Sequence, residues 1–360
     1  MAGKELFGSE IYAPAFSVKV VQGTSEIRSE SITGIEINED LENPGMFRIS
    51  LHEHFDVSSQ TFTWLDNKAI KTGTELLIGF GYASSPKPAY FQGKIKAHSP
   101  GFFAAGNPTF SIEGYDLSFD LNKTQKKFKD KKVSYDVVAR DIAVNSGLKP
   151  DGIETGGEEQ PKIERKPNEN DHALLKRLAG EIGYEFFVRE KSLYFRVPKE
   201  KMDPVMDFEY GLNFISFTPR LTTALLVNEV MVTAWDEENK KEISETARIS
   251  DVKGTGGVPD LDSIIEESQG EPTTVKIENR VVRSRKEAKD LATAELKRRN
   301  RGFIEGTLEC IGDPNLRPGS VVKISKVGAL FSGSYYIVKA RHVIGDGGYK
   351  TTLDVRRCAL

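Results

Sequence analysis

Apolar and polar residues alternate through much of the first third of the chain. The series runs Phe16, Val18, Val20; Ile35, Ile37; Phe47, Ile49, Leu51; Leu76, Ile78, Phe80; Phe91, Ile95; and Phe110, Ile112. A period of two places every second side chain on one face of a half-buried antiparallel sheet. Asn43-Pro44-Gly45, Ser84-Ser85-Pro86 and Gly106-Asn107-Pro108 punctuate the series as turns. The spacing predicts roughly six strands in one sandwich or barrel.

The period then lengthens. Ser134 is placed to cap a helix carrying Val138 and Ile142, with Gly147 closing it. A Gly-, Glu- and Pro-rich loop covers 150–167. A second helix is expected from Asn170, with Leu174, Leu175, Leu178 and Ile182 on one stripe and Gly183 at its end. Segments 184–188 and 192–197 read as a hairpin, so the middle of the chain is a small α/β insertion.

Strand patterns return at 224–235, 241–249 and 274–282. Between the last two lies a polar linker with Gly254, Gly256, Gly257, Pro259 and Pro272, expected to be a mobile loop. Ser284 and Glu287 form a capping box ahead of Ala288, Leu291, Ala292 and Leu296. Closing strands are expected at 303–311, 320–327, 334–344 and 349–357. Pro318-Gly319 fits a type II turn, and Gly345-Asp346-Gly347-Gly348 a hairpin turn. The expected fold is mainly β (α+β): a β-barrel or sandwich domain at 1–122, an α/β insertion at 123–205, and a second β domain with one helix at 206–360.

Composition narrows the function classes. With 50 basic and 53 acidic residues the net charge is -3, without the basic excess of a dedicated nucleic-acid binder or a polybasic arm for a membrane surface. No stretch reaches the roughly 18 apolar residues of a membrane span. Residues 1–10 lack the pattern of a secretory signal, so folding in a cytoplasm is expected. Cys310 and Cys358 then read as reduced, packing cysteines, although a bridge between neighbouring strands is the open alternative.

The search for chemistry yields little. His52-Glu53-His54 has metal-ligand residue types at i and i+2, but no third ligand at a telling spacing; the competing reading is the solvent-facing edge of a strand. Gly79-Phe80-Gly81 reads as a bulge or a close backbone approach rather than a dinucleotide loop. The run Lys297-Arg298-Arg299-Asn300-Arg301 sits where cations complement a helix C-terminus, and the basic stretch 123–132 reads as a solvated loop. No zinc-protease helix, P-loop or nucleophile elbow occurs. No catalytic, cofactor-binding or metal residue is nominated.

The order of several segments carries a resemblance. Asn168-Glu169-Asn170-Asp171-His172-Ala173-Leu174-Leu175-Lys176-Arg177-Leu178-Ala179, followed by Glu181-Ile182-Gly183-Tyr184 and a hairpin, is similar to the middle segment of VgrG and phage late control D proteins. Gly312-Asp313-Pro314-x-Leu316-x-Pro318-Gly319, then Phe331-Ser332-Gly333-x-Tyr335-Tyr336-Ile337-Val338, then Arg341-His342, resembles their closing barrel, as does Gly348-Tyr349-x-Thr351-Thr352 leading to Arg356. Leu175, Arg177, Leu178, Gly183, Gly312, Asp313, Pro318, Gly319, Gly333, Tyr335 and His342 carry the likeness, as fold determinants rather than reacting groups.

The resemblance implies a non-enzymatic baseplate hub of a contractile phage tail, tailocin or extracellular injection system. Its two tube-type β domains would alternate around a homotrimeric, pseudo-sixfold ring between a hexameric tail tube and a trimeric spike. Expected partners are the spike, tail tube and baseplate wedge proteins, with no cofactor, no nucleic-acid specificity and no stable membrane insertion. The expected location is the bacterial cytoplasm during assembly, then the virion or injection particle. VgrG chains continue into an OB-like domain and a needle, so this chain is expected to represent the hub portion alone. The rival functions are a tail-associated peptidoglycan hydrolase and a glycan- or receptor-binding tail-tip module.

Overall fold

A computed structural model describes residues 13–22, 26–83, 89–125, 132–157, 159–160, 163–236, 240–252, 261–270, 272–278, 282 and 284–357. The first region runs through β1 (Pro14–Val20), β2 (Glu26–Ile27), β3 (Ile32–Asp40), β4 (Met46–His52), β5 (Phe55–Asp56), β6 (Thr61–Phe62), β7 (Glu75–Tyr82), β8 (Ala89–Gly101) and β9 (Thr109–Asp116). The middle contains α1 (Tyr135–Asn145), β10 (Lys149–Ile153), α2 (Asp171–Glu181), β11 (Glu185–Arg189) and β12 (Ser192–Arg196). Next come β13 (Met206–Glu209), β14 (Ser216–Leu221), β15 (Glu229–Asp236), β16 (Lys241–Arg248), α3 (Ile249–Val252), α4 (Leu261–Gln269), β17 (Thr274–Ile277) and α5 (Arg285–Asn300). The chain closes with β18 (Ile304–Ile311), β19 (Val321–Ser325), β20 (Gly333–Gly345) and β21 (Gly348–Arg357). The fold is mainly β, as the alternation predicts.

The alternating residues do what their period requires. On β4, Phe47, Ile49 and Leu51 are buried while Arg48 and His52 face water. They join Ile35, Ile37, Ile78, Phe80, Phe110 and Ile112 in the first core. A second core gathers Phe208, Leu308, Ile324, Tyr335, Ile337 and Leu353. One sheet passes through both regions in the order β14-β18-β21-β20-β3-β4-β9-β8-β7-β1-β2, with β19 on β20 and β13 on β19. The seam is the antiparallel pair β20–β3, registered from Lys339↔Asp40 to Gly345↔Gly34. The path ends at β14 on one side and β2 on the other.

The insertion packs α1 and α2 on the small sheet β10-β12-β11. Asn170 caps α2, its Oδ1 accepting the Ala173 N–H at 2.8 Å. Glu169 and Glu181 hold Arg177 across the helix at 2.7 and 3.2 Å. Ser284 Oγ accepts the Glu287 N–H at 2.9 Å, completing that half of the predicted capping box. Ser134 stands at the N-cap position of α1 but makes no side-chain cap; its hydroxyl is spent on the Asp136 carboxylate. Asn170→Ala should therefore lower stability by about 1 kcal/mol, read from the denaturant midpoint, whereas Ser134→Ala removes no cap bond.

Three expectations change in detail. The linker before residue 272 contains α4, whose Ile265 is fully buried against the second core. Ile264 packs beside Ile265 against the same core, a pairing obscured in the sequence by the glycines and prolines around it. Gly254, Gly256, Gly257 and Pro259 lie outside the described residues, as do Ser84-Ser85-Pro86 and Cys358. The strands expected at 224–235 and 274–282 shorten to β15 and β17, which pair in parallel and with β16 form a separate sheet covered by α5. Among the described residues, no helix is long and apolar enough to cross a membrane.

Candidate functional site

The most elaborate polar arrangement lies where the first β region, the insertion and the closing strands meet. Ile35, Ile37 and Glu39 occupy successive inward positions of β3, so the period that buries two isoleucines also buries a carboxylate. Arg317 reaches it from the turn before β19, with Nε and one terminal nitrogen 2.8 and 2.5 Å from its two oxygens. The same guanidinium donates to the Tyr90 carbonyl at 2.9 Å. Burial pushes the Glu39 carboxyl upward, but the charge and hydrogen bonds of Arg317 outweigh that and hold it below its usual range.

The insertion enters through its hairpin. Arg189 donates to the Pro318 carbonyl. Arg196 pairs with Glu185 at 3.0 Å and lies over the stacked rings of Phe187 and Tyr194, whose centroids are 4.7 Å apart. Tyr336 donates its hydroxyl to Glu185, which lies 2.8–2.9 Å away. Leu41, Phe187, Val321 and Tyr336 form a compact apolar core under these charges. The arrangement fastens three parts of one chain together and has the chemistry of a joint.

The residues that carried the sequence resemblance divide among four places. Leu175 and Leu178 are buried in the insertion core, and Gly183 takes φ +72° where a Cβ would stand 3.4 Å from Ala294. Pro318 and Gly319 belong to the joint: Gly319 has φ +84°, as a type II turn requires, and donates its N–H to Ile337 at 2.9 Å. Gly312, Asp313 and His342 sit nearby around Tyr349. A Cβ on Gly312 would fall 2.2 Å from that ring, and the Gly312 carbonyl accepts the Tyr82 hydroxyl at 2.8 Å. The Asp313 N–H donates to Thr351 Oγ1 at 3.2 Å. Gly333 leaves room for the Arg357 guanidinium, and Tyr335 lies in the second core.

His342 is fully buried, its Nδ1 2.9 Å from the Tyr349 hydroxyl and 3.1 Å from Thr351 Oγ1, with its ring against Phe80 at 5.0 Å. Burial lowers its pKa to about 4, so it is neutral near pH 7. The unfolded chain takes up this proton at an ordinary histidine value, and the folded chain resists until lower pH. Stability contributed here is thus lost as pH falls from about 6.5 to about 4. Relative to His342→Gln, the wild type should lose roughly 2–3 kcal/mol across that window, measured by denaturant titration at each pH.

The remaining candidates resolve into structural roles. His52 and His54 are exposed, whereas Glu53 between them is buried and accepts the Trp64 and Leu65 N–H groups at 3.0 and 2.9 Å. Among the described residues no group of three His, Cys, Asp or Glu is placed to hold a metal. Gly79 is a close approach: a Cβ would lie 2.8 Å from Ser17 Oγ. In the basic run, Arg298 and Arg299 pair with Glu295 one turn back. Cys310 is buried and has no disulfide partner among the described residues, which leave out Cys358; its thiol is pushed up to about 12 by desolvation and neighbouring carboxylates. Sequence reasoning missed Glu39, Arg189 and Arg317, although Glu39 signalled itself as a charge in an apolar alternating series.

Residues 13–346 match the Alg8 N-terminal domain family. The chain belongs to that family. No curated protein matches the chain by sequence. Among solved structures, the 43 kDa tail protein of prophage MuSo2 from Shewanella oneidensis is similar at TM-score 0.71 and 16% identity, over 96% of this chain and 98% of that one. A tail protein from Neisseria meningitidis gives 0.69 and 15%, over 96% and 97%. An Escherichia coli component of the type VI secretion system, described as similar to the T4 tail proteins gp27 and gp5, gives 0.55 and 11%, over 94% and 76%. The likeness to phage tail and injection-system proteins read from the sequence holds at the level of the fold.

Proposed function

We propose that this member of the family is a structural baseplate hub of a contractile phage tail, tailocin or extracellular injection system. The observation that carries the reading is a fold shared almost end to end with a phage tail protein, 96% of one chain on 98% of the other. In this reading the units are 1–122, 123–205 and 206–360, and three copies close into a pseudo-sixfold ring between tail tube and spike, contacted by baseplate wedge proteins. The ends of the main sheet support it. Strand β14 at one end and β2 at the other are unlike edges, and a ring closes through contacts between unlike patches of neighbouring copies. The hub works by interface and is not an enzyme; it assembles in the bacterial cytoplasm and ends in the virion or injection particle.

Native mass measurement and electron microscopy with tube and spike proteins supplied test this reading. Trimers are expected; a strict monomer with both partners present rejects it. Purified protein should leave peptidoglycan intact, and release of soluble fragments would favour a hydrolase instead.

A further inference from the structure

A small, partly open pocket with about 10 Å³ of space lies at the three-way joint, bounded by Glu39, Asp116, Phe187, Arg189 and Pro318 among others. That is about the space one water needs, and its walls carry polar groups beside apolar ones. Arg189 lines it, and its Nε is buried with no hydrogen-bond partner among the described residues; a buried donor without an acceptor is costly. Asp116, at the end of β9, is buried as well. Its Oδ2 accepts the Gly45 N–H at 2.6 Å, and its Oδ1 accepts the Ser118 N–H and hydroxyl at 2.9 and 2.5 Å. Among the described residues no cation pairs with it directly. Glu39 and Asp40 face the cavity from β3, Arg189 and Glu190 from the end of β11, and Phe91, Gln92 and Pro318 bring no charge. Arg317 is committed to Glu39, and His342 beyond Glu39 is neutral near pH 7.

We propose that this cavity holds one ordered water bonded to Arg189 Nε, and that water and Asp116 make the joint a proton-sensitive latch, tight while Asp116 keeps its proton and looser once it ionises. A protonated Oδ2 still accepts from Gly45 and turns its own O–H toward the water. An ionised one places a second negative charge near Glu39 at a buried position. Burial raises the Asp116 pKa to about 7 against the pull of its three donors. The folded value lies above the open-chain value, so the contribution is complete below about pH 4 and is lost as pH rises toward about 7. The inference rests on the geometry of the joint and is independent of the hub reading.

Hydrogen exchange of the Gly45 amide, corrected for its intrinsic rate, tests the latch. In the wild type, protection should fall by up to about tenfold per pH unit between pH about 5 and about 7, whereas Asp116→Asn should give a flat profile. A flat wild-type profile, or the same fall in the variant, overturns the latch. Infrared spectra of wild-type protein labelled with 13C-aspartate give a second measurement that does not need the variant to fold. A protonated carboxyl band should persist at pH about 6, where an ordinary aspartate near 3.9 is ionised; its absence overturns the proposal. A high-resolution map should show a water peak within hydrogen-bond reach of Arg189 Nε, and an empty cavity refutes the hydration.

Discussion

An Arg317→Leu variant is expected to lose about 3–5 kcal/mol of folding stability, seen as a large drop in denaturant midpoint. The loss exceeds what two hydrogen bonds contribute, because removing Arg317 strands the Glu39 carboxylate. That group is about one-tenth exposed, and among the described residues Arg317 is the cation that pairs with it, with Arg189 acting on it only through its charge. Its options are to take up a proton or to open the joint toward water, and both cost stability. The double variant Glu39→Leu with Arg317→Leu separates the causes. With no charge left to strand, much of the stability should return, since replacing a buried pair by apolar residues of similar volume is often close to neutral. A single-variant loss under about 1 kcal/mol would mean that the pair is effectively solvated.

Tyr335→Ala should cost a comparable amount, about 3–5 kcal/mol, for a different reason. The ring is fully buried in the second core, edge-on to Phe217 at 5.6 Å, and its truncation leaves a cavity among rigid strands. Tyr335→Phe keeps the ring and removes only the hydroxyl, which donates to the Phe331 carbonyl at 2.6 Å. That change should cost about 1 kcal/mol. Equilibrium unfolding of both variants checks the split. Similar losses in the two would show that the hydroxyl, rather than the ring, organises this part of the fold.

Local features were the readable ones. Strands in the first third were evident because Phe47, Ile49 and Leu51, and others like them, follow a period that only a half-buried strand satisfies. Helix α2 was evident because Asn170 and the leucine stripe agree on one start and one face. Helix α4 was missed because its stripe is short and its flanks carry turn residues. The joint was missed for a deeper reason. Glu39 and Arg317 are 278 positions apart, so nothing near either residue announces its partner. The same holds for the seam, where Gly34 lies opposite Gly345. For His52-Glu53-His54 the solvent-facing reading fits the exposed imidazoles, but strand β4 stops at His52 and the pattern gave no sign that Glu53 turns inward.

The seam between β3 and β20 also limits how the molecule can deform. Swivelling one β region against the other would tear a registered ladder from Lys339↔Asp40 to Gly345↔Gly34, with its hydrogen bonds failing together rather than one at a time. Such a ladder joins the two β regions in one continuous sheet, so a rotation of either carries the other with it. Any change of shape during work would then fall to the insertion, held to the rest by side chains and a handful of carbonyls, and the stiff ribbon would serve as its fixed reference frame.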